Sequence, residues 1–147
     1  MAEKLMRYTF RLSFGEEVAN AISHGVMAIL TLFCLPAFAV YSYASDGVLR
    51  AVGTSIYLIS MFFMFLISTI YHSMPYGSSQ KYVFRKLDHI AILFAIAGSY
   101  TPVCLSIIRG PIGIIILIIE WTMVLAGILL KAIAKKSYPK LSVTIYM

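Results

Sequence analysis

The sequence predicts an all-α protein: a polytopic transmembrane helical bundle with four spans, forming a single transmembrane domain over residues 1–147. Three observations predict it. Hydrophobic residues make up 61% of the chain and charged residues 12%, against about 45–50% and about 25% in a soluble domain. Mean hydropathy is +0.89, and the apolar residues fall in four runs close to the length of about 20 residues that crosses a bilayer. The cations are sorted along the chain as membrane topology requires.

The first span runs from about Ile22 to Tyr41 and the second from Ala51 to Tyr71. "SDG" at 45–47 separates them. The third runs from Ile90 to Ile108 and the fourth from Pro111 to Leu130. "MPYGSSQ" at 74–80 is a loop by composition. "RGP" at 109–111 is a tight connection, and Pro111 suits the first turn of a helix, where its missing N–H costs no bond.

Lys4, Arg7 and Arg11 precede the first span, and Lys81, Arg85 and Lys86 follow the second. Lys131, Lys135, Lys136 and Lys140 follow the fourth. With four crossings all ten lie on one side, leaving Arg50 and Arg109 on the other. The positive-inside rule makes the ten-cation side cytoplasmic, with the N-terminus there and the chain in the cell membrane. The net charge of +6 then reports orientation, and no nucleic-acid partner is expected; the partner is the lipid bilayer. Cys34 and Cys104 lie in apolar runs and read as packing residues. The apolar stretch 141–147 is too short to span, and the chain is expected to stop near the start of a fifth span.

Ionisable groups at the edge of a membrane span are candidates for function. In "EEVANAISHG", Glu17, Asn20 and His24 recur at spacings of three and four, which places them on one helical face. Ser68 and His72 share a face one turn apart at the end of the second span. Asp88 opens the third. Three helices thus bring polar groups to one membrane depth. Each has a plainer reading: His72 reaching interfacial water, Asp88 as an anion at a helix N-terminus, Asn20 bonding a neighbouring helix. His89 points about 100° away from Asp88 and is read as interfacial. Glu120, mid-span in the fourth helix, is left outside the cluster. The small residues of "AGSYTP" at 97–102 suit close helix approach.

Histidines with a carboxylate suit zinc, which lowers the pKa of a bound water to about 7. Ser68 would hydrogen-bond that water or a substrate oxygen, and Asp88 would orient or deprotonate it.

Three motifs taken together resemble the bacterial hemolysin III proteins, relatives of the progestin and adipoQ receptors. "EEVANAISHG" resembles the family's first-span pattern, here Glu17, Asn20 and His24. "STIYH" resembles the second-span Ser-x-x-x-His, here Ser68 and His72. "KLDHI" followed by "IAGSYTP" resembles the third-span pattern, here Asp88. The resemblance implies a seven-helix fold with a cytoplasmic N-terminus, of which four spans are present. It implies zinc as cofactor, with His72 as a ligand and Asp88 and Ser68 beside the metal. The family's other two ligand histidines belong to an H-x-x-x-H motif in a seventh span, which this sequence does not contain, so its own ligand set is incomplete. Relationship to alkaline ceramidases implies a zinc-dependent hydrolase acting on a lipid amide. The hemolysin label implies instead a non-enzymatic cytolytic, pore-forming or stress-related membrane protein.

Overall fold

The computed structural model describes the backbone of residues 11–133 and side chains as far as residue 129. Lys4 and Arg7, the tail cations Lys135, Lys136 and Lys140, and the stretch 141–147 lie outside the described residues. Every regular element among the described residues is a helix.

The first helical run, Phe14–Ser73, is broken inside by non-helical backbone at Asp46 and Gly47. We number its two legs α1 (14–45) and α2 (48–73). Gly47 has φ +76°, a conformation in which a Cβ would be strained. The chain reverses there. His72 contacts Glu17, Ser68 contacts His24, and Ser42 Oγ donates to Thr54 Oγ1 at 2.9 Å. Pairs that draw together in number towards the break define an antiparallel helical hairpin. The "SDG" separator is therefore a true turn.

Ser13 caps α1: its hydroxyl accepts from Glu16 N–H while the Glu16 carboxylate accepts from Ser13 N–H. This reciprocal box fixes the start of the helix several residues before the apolar run. Two further helices follow, α3 (Ser79–Ser106) and α4 (Pro111–Ile133). Ser78 caps α3, its hydroxyl accepting from Lys81 N–H at 3.1 Å.

Packing is inverted relative to a soluble bundle. Ala28, Thr31, Ser42, Gly53, Ser60 and Ser68 are the buried residues of the hairpin. Large apolar side chains face outward, among them Phe33 at 75% and Val40 at 70% exposure. Small residues inside and bulky apolar residues outside are what helices in lipid require, because lipid gives them no hydrophobic reason to associate and close backbone approach must. The hairpin run, α3 and α4 are each long and apolar enough to cross a membrane.

Helix α3 lies between α2 and α4. Gly98 meets Ser60 and Gly53 meets Pro102, so the 97–102 stretch is a contact surface, as its small residues predict. On its other side Leu93 and Ala97 pack with Val124, Trp121 and Ile128 of α4. The Trp121 indole N–H donates to Thr101 Oγ1 at 3.3 Å.

Both inter-helix turns at the far end are tied together. The Arg109 guanidinium, between α3 and α4, donates to the Asp46 carboxylate at the hairpin break, and this bond raises the guanidinium's already high pKa. The tie places the 45–47 and 107–110 turns at one end of the bundle. The start of α1, the end of α2 and the start of α3 occupy the other, called here the entry end.

Candidate functional site

The entry end gathers charged and polar groups from three helices. Glu17 comes from the first turn of α1 and faces inward because the capping box holds that turn in register. His72 is in the last turn of α2 and Lys81 in the first turn of α3. The His72 Nδ1 to Glu17 Oε2 distance is 2.7 Å, and Lys81 Nζ donates to Glu17 Oε1 at 2.7 Å. Lys81 Nζ also donates to the Met74 carbonyl at 2.9 Å and lies 5.0 Å from the centroid of the Tyr71 ring. Lys81 is 2% exposed; the side chains of His72 and Glu17 are 11% and 18% exposed. Burial of a lysine is tolerated only where its charge and protons are matched, and here a carboxylate, a carbonyl and an aromatic face match them.

One turn deeper, His24 Nδ1 is 2.7 Å from Ser68 Oγ, a residue buried to 5% exposure. The His24 ring lies edge-on to His72, centroids 6.0 Å apart, and to Phe65 at 5.7 Å. Two His contacts thus stack along the α1–α2 seam: Glu17–His72 outside and His24–Ser68 inside.

Of the residues singled out in the sequence, Glu17, His24, Ser68 and His72 come together. Asn20 is half-buried on the same face, and its backbone carbonyl accepts from Ser23 Oγ. Asp88 is half-buried on α3, two turns or about 10 Å along the helix from Lys81, and with Glu17 and Arg85 it is within electrostatic reach of Tyr71. His89 Nδ1 lies 2.7 Å from the Arg85 carbonyl oxygen. Sequence reasoning missed Lys81, counting it only as a cation that sets topology. Its spacing of seven before Asp88, two turns on one face, was the available signal.

Among the described residues no three His, Cys, Asp or Glu side chains converge on a point where an ion could be held, and the carboxylate on His72, that of Glu17, is shared with Lys81. Residues 11–129 do not fit a zinc ion by themselves, since a catalytic zinc takes three protein ligands.

Long apolar helices, packed through small residues and carrying ionisable groups at one end, define a helical multi-pass membrane protein. A family model described as "Haemolysin-III related" matches residues 12–147, and the chain belongs to the haemolysin III family. It is 37% identical over 147 residues to "Hemolysin-3" of Bacillus cereus, covering 100% of this chain and 66% of that protein. It is 33% identical over 132 residues to "Hemolysin-3 homolog" of Bacillus subtilis (strain 168), covering 90% of this chain and 62% of that protein. The chain therefore spans a little under two thirds of the length of these relatives. No solved structure matches it.

Proposed function

We propose that the full-length protein is a zinc-dependent membrane hydrolase acting on a lipid amide, and that this chain supplies one wall of its centre. The supporting observation is the gathering of Glu17, His24, Ser68 and His72 at one end of the bundle by three contacts of 2.7 Å that also engage Lys81. Buried ionisable groups at a membrane boundary are expensive and are retained where they serve function. In this reading His72 is one metal ligand, and the remaining ligands come from the part of the protein beyond the chain. Ser68 binds a substrate oxygen, and Asp88 moves a proton.

The chain crosses the cell membrane four times in this reading, as part of a seven-helix bundle with the N-terminus in the cytoplasm. Support comes from Arg11, Lys81, Arg85 and Lys86 at the entry end, against Arg50 and Arg109 at the far end. Three of the entry-end cations lie over tyrosine rings, Arg11 over Tyr76 at 4.8 Å, Lys81 over Tyr71 at 5.0 Å and Lys86 over Tyr82 at 5.3 Å, as suits an aromatic belt at an interface.

Purified full-length protein is expected to carry zinc, with His72→Ala reducing it to background in elemental analysis. Zinc content that is the same in both proteins removes the metal from the proposal.

The name of the Bacillus cereus relative, "Hemolysin-3", favours a second reading: a lytic or stress-related protein in which the polar cluster is structural. Full-length protein reconstituted in dye-loaded vesicles is then expected to release dye in proportion to protein density. Vesicles that stay sealed at every density remove that reading.

A further inference from the structure

The charged groups at the entry end do more than form an ion pair. Glu17 uses its two oxygens on different partners, Oε1 on Lys81 and Oε2 on His72, each at 2.7 Å. Lys81, with its additional bond to the Met74 carbonyl and its place over the Tyr71 ring, is committed to holding the carboxylate. A carboxylate can only accept. The proton in the Glu17–His72 bond therefore sits on Nδ1, and in the neutral ring Nε2 carries the lone pair. We propose that Glu17, clamped by Lys81, is a positioning residue that fixes His72 in the Nδ1–H tautomer and presents Nε2 as its reactive nitrogen.

The inference rests on reading His72 as the functional imidazole, and it names how that imidazole is prepared. The neighbours of the ring support it. Tyr71 packs at 4.7 Å and His24 at 6.0 Å between centroids, both edge-on, so the ring is held on two sides. His24 has its own partner in Ser68 and leaves both Glu17 oxygens to Lys81 and His72. Glu17 and His24 on α1 and Tyr71 on α2 contact His72, and Lys81 on α3 holds the other oxygen of Glu17. A structural ion pair needs only Glu17 and Lys81. The second oxygen, aimed at an imidazole, does what a carboxylate does behind many working histidines: it selects the tautomer and orients the ring.

The test is nitrogen-15 NMR of histidine-labelled full-length protein in nanodiscs, stripped of metal by chelator. The His72 signals are assigned by their loss in His72→Gln. The wild type is expected to show a protonated, pyrrole-type Nδ1 and a pyridine-type Nε2. Glu17→Gln, whose amide both donates and accepts, is expected to lose the single-tautomer spectrum and show signal from the Nε2–H form. Lys81→Arg keeps the clamp and the single tautomer. A wild-type His72 protonated at Nε2 alone overturns the proposal on its own, without any variant. A tautomer unchanged in Glu17→Gln also overturns it. Zinc content bears only on the metal reading and the spectrum only on the positioning of His72, so each can fail alone.

Discussion

Glu17→Ala is expected to destabilise the bundle by about 3–5 kcal/mol, the range found when one partner of a buried ion pair is removed. The loss follows from what is left behind. Lys81 stays 2% exposed and keeps the Met74 carbonyl and the Tyr71 face, neither of which carries a compensating charge. His72 loses its acceptor in the same step. Equilibrium unfolding of detergent-solubilised protein measures the effect. The double variant Glu17→Leu/Lys81→Met is expected to recover more than half of it, because an apolar pair replaces the charges and no ion is stranded. The two single variants must then be non-additive, since they remove the same contact. Glu17→Ala unfolding at the wild-type denaturant midpoint would mean that water reaches Lys81, and that the cluster has no buried charge.

The cost of that pair bears on function. A carboxylate shared between a lysine and a histidine ties three helices at one end, and it does so where α1 enters the bundle. Holding the bundle shut at this end would be met by Lys81 and Glu17 alone. The imidazole on the other oxygen and the Ser68–His24 contact one turn deeper give the seam a polar lining that packing does not need. The lining lies at the end of the bundle where Arg11, Lys81, Arg85 and Lys86 collect.

Much of this was legible in the sequence because membrane helices write their length in hydropathy. The breaks at 45–47, 74–78 and 107–110 are marked by Gly, Pro, Ser and Asp, whose turn chemistry acts locally. Helix ends were less legible. The capping box at Ser13 and Glu16 extends α1 well before Ile22, where hydropathy places the span, because a cap is a hydrogen-bond feature and carries no apolar signal. The faces of Glu17, His24, Ser68 and His72 followed from spacings of three and four. Their pairing did not. Whether His24 meets Ser68 or His72 depends on the register of α1 against α2, set by contacts such as Gly25 against Thr69 that no local pattern encodes. Lys81 was hidden for a related reason: a lysine near a membrane boundary is usually solvated, and this one is buried where α3 meets Glu17 of α1 and Tyr71 and Met74 at the end of α2. Asp88 shows the converse, since its position on α3 was clear from sequence while Tyr71, within its electrostatic reach, lies on α2.

Gly53→Val is expected to cost about 3 kcal/mol, at the upper end of the range for overpacking. A Cβ at Gly53 would sit 2.7 Å from Pro102 Cα and 3.2 Å from Pro102 N. Both are backbone atoms of a residue whose φ the ring fixes, so no rotamer change opens the space and α3 itself must move. At Gly98 the same addition meets Ser60, at 2.5 Å from Oγ and 2.7 Å from Cβ. Part of that obstruction is a hydroxyl, which can turn at the expense of its bond to the Ile56 carbonyl. Gly98→Ala is therefore expected to destabilise less than Gly53→Val, by about 1 kcal/mol. Unfolding measurements on the two variants test the order as well as the size. Equal losses would mean that α3 shifts as a unit at either contact. A negligible loss at Gly53 would mean that α2 and α3 stand further apart than the Pro102 contact allows. The order matters for the entry end, because α3 carries Lys81, whose Nζ is held there by Glu17 and the Met74 carbonyl. A helix displaced at Pro102 pivots against that clamp, so Gly53→Val should also broaden the His72 nitrogen signals from about 30 Å away along α3, counting about 1.5 Å per residue.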